Sequence, residues 1–393
     1  MISDILNLVK KHEIWREREC INLISSENVM SNQVRSLLSS KLAQRYTAPD
    51  HFYMGTRFID EIEEYGEKIA KRLFQAKIAD LRPLSGHIAD LIFLASFAKK
   101  GDTLMCVSAD DGGYPGIWKK GLPKLLGIKI EAFPFSKDKM NIQLEAATEI
   151  IEQLRPNIII LGASLFLFPH PVQKITKAAR AIGAHLGYDG SHVMGLIAGG
   201  QFQSPLREGA PALFGSTHKS FFGPQGGIML ADKDYGTVMK EKIHPSIVDN
   251  AHWNRIASLT LALAEMRKFG ETYAKQVIRN AYALARALSD HKLPVVGSTL
   301  GFTKSHQILM DFGGYKQGRK IAELLERGNI IVDCGIRLGT SEITRLGMKE
   351  NEMEQIAELL KQIVIDKKGP DQVRLDTKKL AEEFQDPEYC FSL

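Results

Sequence analysis

Between residues 102 and 232 the chain alternates short apolar runs with amphipathic stretches, and this alternation restricts the fold more than any other feature. The runs DTLMCVS (102–108), IKIEAFPF (128–135), NIIILGAS (157–164), GAHLGYDG (183–190) and GGIMLAD (226–232) have the length and apolar content of buried strands. Between them, HIADLIFLASFAKK (87–100), LEAATEIIEQLR (144–155) and VQKITKAARAIG (172–183) carry helical spacing. A strand buried on both faces needs a helical layer on each side. The pattern therefore predicts an α/β fold with a mostly parallel sheet in its large domain. Ligands of such sheets collect beyond the carboxyl ends of the strands.

The pattern changes after about residue 235. The stretch 256–288 is long and helical, followed by HQILMDF, the helix RKIAELLERGN and a strand-turn unit IIVDCGIRLGT. These predict a smaller C-terminal α/β domain. The expected division is an N-terminal arm at 1–24, a large domain at 25–254 and the small domain at 255–393. The tail KKGPDQVRLDTKKLAEEF is expected to be a solvated helix.

Composition narrows the classes of function. A net charge of +5 on 393 residues gives no reason to expect nucleic acid or a membrane surface as partner. The four cysteines lie far apart with no CxxC pair, which argues against a zinc site or a disulfide framework and fits a reducing cytosol. The opening MISDILNLVKK lacks the apolar core of a signal peptide, and no run reaches the roughly 18 to 20 apolar residues of a membrane span. A cytoplasmic protein without a metal is the expectation.

Four local features fall at the ends of these elements. In PLSGHIAD (83–90), Ser85 and Gly86 open a helix whose N-terminus suits a phosphate, although Ser85 also serves as an ordinary N-cap. In YDGSHVMG (188–195), Asp189 ends an apolar strand and can hold a protonated ring nitrogen, with His192 three residues on; a turn aspartate beside a packed histidine is the plainer reading. In GSTHKSFFGPQGG (215–227), Lys219 lies before a glycine cluster that lets backbone pass close to a ligand, and an amine so placed can form a Schiff base. In CGIRLGT (334–340), Arg337 between glycines suits a bidentate grip on a carboxylate. Together, a phosphate cradle, a ring-nitrogen acid, an amine and a carboxylate clamp are the parts that surround pyridoxal 5'-phosphate in its enzymes.

The motifs then become specific. INLISSENVMS (21–31), RYTAP (45–49), PLSG, YDGSHVMGLIAGG, STHKSFFGPQGG and CGIRLGTSEITRLGM run nearly end to end, and in them the chain resembles the serine hydroxymethyltransferase family. The resemblance implies a fold-type I pyridoxal-phosphate transferase. It implies Lys219 as the Schiff-base lysine, Asp189 on the pyridine nitrogen, and His192 and Ser164 near the phenolic oxygen. Ser85, Gly86 and His87 fall at the phosphate turn, Tyr114 at the position of the ring-stacking histidine, and Thr217 and His218 flank the lysine. Arg337 would bind the substrate carboxylate. Ser26, Tyr46 and Tyr53 would serve the neighbouring subunit's site, which implies a homodimer or a dimer of dimers acting on a small amino acid.

Several positions depart from the family's pattern. The glutamate expected two residues after Tyr46 is Ala48, with Asp50 nearby in a shorter loop. Gln225 replaces an arginine, the segment HPSIVDNAHWN (244–254) lacks glycine, and NIIVDCGIRLG runs through without the family's folate-contacting insertion. The expected function is aldol-type cleavage or transfer at Cα of glycine-, serine- or threonine-type amino acids without folate. The alternatives are a folate-dependent hydroxymethyltransferase, another pyridoxal-phosphate reaction (transamination, racemisation or decarboxylation), and a non-catalytic dimer that binds the cofactor.

Overall fold

The segment Ile158–Leu161 is apolar at each position and fully buried, as a strand covered on both faces must be. In the computed structural model, which describes residues 2–47 and 52–392, it lies inside a seven-stranded sheet. The strands are β1 (Ile78–Asp80), β2 (Thr103–Cys106), β3 (Lys129–Ala132), β4 (Ile158–Leu161), β5 (His185–Asp189), β6 (Ala212–Ser216) and β7 (Gly227–Ala231). Their order across the sheet is β1-β7-β6-β5-β4-β2-β3. Only β7 runs against its neighbours; β5 pairs in parallel with β4 through Tyr188 opposite Leu161 and with β6 through Asp189 opposite Phe214. The sheet is mixed, with parallel strands at its centre.

Crossover helices form where the spacing predicts them, over Gly86–Phe97, Leu144–Leu154 and Val172–Ile182. Two strands escape the apolar-run reading. β1 is three residues long, and β6, with the sequence ALFGS, is too short and too rich in small residues to stand out.

The chain divides into two compact units, Met30–Ala274 with Cys390–Leu393, and Met1–Val29 with Lys275–Tyr389. The sheet belongs to the first. In the second, Ile21–Asn22 pairs in parallel with Ile330–Ile331, and Gln307–Leu309 pairs antiparallel with Arg337–Gly339. The N-terminal residues thus join a C-terminal core that includes Leu23, Leu288, Ile330, Leu338 and Leu360. The tail helix Pro370–Glu382 is not solvated all round, because Val373, Thr377, Leu380 and Ala381 are buried. One 38-residue helix, Trp253–Asp290, takes up the whole long helical stretch.

Candidate active site

β1 ends at Asp80, whose buried carboxylate takes Arg82 through Nε at 3.0 Å and Nη2 at 2.6 Å. The backbone then turns through Pro83 into the helix Gly86–Phe97. Ser85 caps it, its Oγ accepting the Ile88 N–H at 3.1 Å, so the first turn keeps N–H groups for an anion. Gly86 has to be glycine here. A Cβ on it would sit 2.3 Å from Ser216 Oγ, at the carboxyl end of β6.

The end of β5 is stitched to the end of β6. Gly190 N–H donates to Phe214 O at 2.8 Å, and Ser216 N–H donates to Ser191 Oγ at 3.0 Å. In that turn Ser191 N–H donates to Asp189 Oδ1 at 2.9 Å. Asp189 and His192 are both buried. Burial raises the Asp189 carboxyl above its usual range, while Lys219 and the Ser191 bonds pull it back. Gly162, with φ +110°, runs so close beneath that a Cβ would lie 2.1 Å from Asp189 O.

Lys219 follows β6 in a loop that its own backbone closes. Thr217 N–H donates to Gly226 O at 3.1 Å, Gly223 N–H to Thr217 O at 2.9 Å, and the Thr217 hydroxyl to Pro224 O at 2.7 Å. Phe221 and Phe222 are buried, and Ser220 is pinned by Gly195 N–H on its Oγ and by the Tyr273 hydroxyl on its carbonyl, both at 3.0 Å. Burial, with Lys219 beside it, lowers the His218 imidazole to about 4. Lys219 itself is half-buried, within electrostatic reach of Asp189.

Tyr114 follows β2 and meets His87 edge-on, its hydroxyl 3.2 Å from His87 Nδ1. Burial, then Asp90 and Asp189, push the Tyr114 phenol up to about 12. Ser164, after β4, is tied to the same corner by its N–H on Gly112 O at 2.8 Å. Ser85, Gly86, His87, Tyr114, Ser164, Asp189, His192, Thr217, His218 and Lys219 therefore all lie at or just beyond the carboxyl ends of strands of one sheet. Tyr46 and Tyr53 pack edge to face at 5.9 Å in the same unit and are 55% and 41% exposed. Arg337 and Ser26 belong to the other unit, where Arg337 Nε donates to Asp333 Oδ2 at 3.3 Å. Ala48 and Asp50 lie outside the described residues.

A family model described as serine hydroxymethyltransferase matches residues 2–360. The chain belongs to the serine hydroxymethyltransferase family. Among its relatives, the serine hydroxymethyltransferase of Methanocaldococcus jannaschii is 43% identical over 98% of this chain and 94% of its own. That of Methanopyrus kandleri is 41% identical over 99% of this chain and 95% of its own. The solved L-threonine transaldolase of Pseudomonas fluorescens, in its internal aldimine state, superimposes with a TM-score of 0.93 at 27% identity, covering 99% of this chain and 94% of that one. Family and fold make this a fold-type I pyridoxal-phosphate enzyme.

The serine hydroxymethyltransferase corner fits that cofactor. A capped helix start pressed against a strand end suits a phosphate, and a buried acid at the end of β5 suits a ring nitrogen. Among the buried charged residues that escape the sequence reading are Asp90 and Arg255. Asp90 is 1% exposed, and neither of its carboxylate oxygens has a hydrogen-bond partner. Arg255 is 5% exposed; its Nη2 donates to Leu81 O, and its Nε and Nη1 have no partner. A signal for Asp90 exists in HIADLIFLASF, where it is the one acid in an otherwise apolar helix. Nothing marks Arg255, which sits in an ordinary mixed stretch.

Proposed function

We propose that this chain makes and breaks the Cα–Cβ bond of small β-hydroxy amino acids of the serine and threonine type, by aldol-type cleavage or transfer and without folate. The observation that supports it most is the gathering of Ser85, Asp189, His192 and Lys219 at one sheet edge. The likeness to a threonine transaldolase along almost the whole chain favours the same chemistry. When bound, pyridoxal phosphate supplies an aldehyde for the amino group and a ring that draws electrons from Cα.

The chain's own residues do the rest. Lys219 holds the cofactor through its amine, Ser85 with the first-turn N–H groups of Gly86 and His87 holds the phosphate, and Asp189 keeps the ring nitrogen protonated. Tyr114 offers an aromatic face, and His192 and Ser164 attend the phenolic oxygen. Arg337 grips the substrate carboxylate. As the Cα–Cβ bond opens, the β-hydroxyl loses its proton and becomes the aldehyde oxygen. Lys219, or a water held by His192, takes that proton; the electron pair stays at Cα, and the proton returned there by the same group completes glycine.

Assembly as a homodimer is part of the proposal, with Ser26, Tyr46 and Tyr53 serving the partner's site. The exposed run Phe52, Tyr53, Met54 and Phe58 supports it, being more apolar surface than a lone protein tends to leave in one place. Among the described residues no helix is long and apolar enough to cross a membrane.

The experiment is turnover of L-threonine and L-serine by holoenzyme, with and without tetrahydrofolate, reading glycine and aldehyde. Glycine with free aldehyde in the absence of folate is expected. Turnover of L-serine only with tetrahydrofolate sinks the proposal in favour of hydroxymethyl transfer proper, the second reading, which the names of the curated relatives favour. A purified protein without the absorbance of bound pyridoxal phosphate overturns both.

A further inference from the structure

Asp90 has no part in the reading above, yet it lies at the same corner. The helix Gly86–Phe97 starts at the carboxyl edge of the sheet, where Gly86 abuts Ser216, and runs back across β5 and β6. Its Phe93 lies over β5, since a Cβ on Gly187 would come 2.7 Å from the Phe93 ring. Asp90 is one turn nearer the helix start, on the same face as Phe93. Asp189 is two residues nearer the strand end, on the same face as Gly187. The two acids therefore lie at the same junction of helix and strand, within electrostatic reach of one another, and each lies within electrostatic reach of Lys219.

Their surroundings differ. Asp189 accepts the Ser191 N–H at 2.9 Å, a bond that favours the ionised form. Asp90 accepts nothing at either oxygen, and an ionised carboxylate left so in the interior is among the most expensive things a fold can hold. Two neighbouring buried carboxyls do not both ionise; the one without donors keeps the proton. The direction of the shift agrees, as burial first and Asp189 second push the Asp90 carboxyl well above its usual range.

We propose that Asp90 is a positioning residue that carries the proton of a buried acid pair, leaving Asp189 as the single negative charge that faces the cofactor's ring nitrogen. This rests on the reading of Asp189 given above. In its protonated form Asp90 becomes a donor, and on this proposal the acceptor it turns to is the Asp189 carboxylate, the charge within its electrostatic reach. A pair with one charge matches one pyridinium, whereas a pair with two would over-bind its proton and leave a negative charge buried without a partner.

Infrared spectra of holoenzyme and of cofactor-depleted protein test the proton directly, alongside pyridoxal-phosphate affinity and the pH titration of the bound cofactor's absorbance. At about pH 9, where the Glu63 and Glu342 carboxyls, each raised to about 7, are ionised, wild-type protein is expected to show the carbonyl stretch of a protonated carboxyl group, and D90N to lack it. D90N is expected to keep its cofactor affinity within about twofold and its titration midpoint unmoved, because an amide N–H donates where the carboxyl O–H did. D90L, which has no donor, is expected to bind pyridoxal phosphate about tenfold more weakly. No carboxyl band in the difference between wild type and D90N at about pH 9, or a D90N midpoint displaced by about one unit or more, as loss of a nearby charge would cause, each overturns the proposal. If D90L fails to fold, the D90N spectra and titration decide. If wild type binds no pyridoxal phosphate, the functional reading falls, while the carboxyl band still reports on Asp90.

Discussion

The loop that carries Lys219 and the turn that carries Arg337 both set a cation among glycines, and they are built from different materials. Around Lys219 the bonds are mainly backbone to backbone, the flanking Phe221 and Phe222 are buried, and Thr217 spends its hydroxyl on the carbonyl of Pro224. Around Arg337 the fixing group is a side chain. Asp333 takes the Arg337 N–H on Oδ1 at 3.1 Å and its Nε on Oδ2 at 3.3 Å. The first arrangement is set by the fold. The second is an ion pair, and on the proposed reading an incoming carboxylate replaces that of Asp333 in kind, as a substrate clamp requires.

The largest effect expected from this contrast is at Lys219. On the proposed reading K219A removes the group that holds the cofactor and moves the proton, so kcat falls by about a thousandfold or more. The backbone bonds of the loop are untouched, so the denaturant midpoint of cofactor-depleted K219A stays close to that of cofactor-depleted wild type. Steady-state assays with added pyridoxal phosphate and a urea titration check both halves. A K219A protein as active as its parent would break the comparison at its first term.

How far the sequence foretold these two regions follows from the forces at work in each. The parallel centre of the sheet was legible because buried strands need unbroken apolar runs, as in IIIL at β4. β6 was not, because ALFGS owes its place to Gly215 and Ser216 fitting against Ser191 and Gly86, which is a fact of packing and not of local pattern. The loop of Lys219 stood out through its glycines. The share of the N-terminal residues in the second unit was hidden, since the pairing of Ile21 with Ile330 spans most of the chain and no local spacing records it. Asp90 was hidden for the opposite reason. Its helix looks apolar enough to need no explanation, and the one acid in it gains its meaning only from burial without a hydrogen-bond partner.

A smaller effect is expected at Arg337. R337K keeps the charge and loses the planar fork, so KM for the amino acid rises about tenfold to a hundredfold while kcat changes less. Asp333 sharpens the point. D333N removes the carboxylate that competes for the guanidinium, and KM is expected to fall by about twofold to threefold, the size of a partly exposed ion pair. Initial-rate kinetics on both variants separate the two. A KM that rises in D333N as it does in R337K would mean that Asp333 aims the arginine, and the exchangeable pair would be the wrong description.

The smallest effect concerns pH, and it belongs to the region after Arg337. Just after Arg337, Glu342 takes Asn22 Nδ2 at 2.7 Å, and the same Nδ2 also reaches Glu27 Oε2 at 2.8 Å. Burial raises the Glu342 carboxyl to about 7; the Asn22 bond opposes this and the Glu27 charge adds to it. The folded chain thus holds a proton that the unfolded chain gives up at its ordinary value of 4.5. The stabilisation is complete below that value, is lost as pH climbs through about 7, and changes little above. E342Q keeps a hydrogen-bonding side chain and has no proton to lose. Its urea midpoint should therefore fall less than that of wild type between about pH 5 and about pH 8. Equal slopes in the two proteins would place the proton elsewhere.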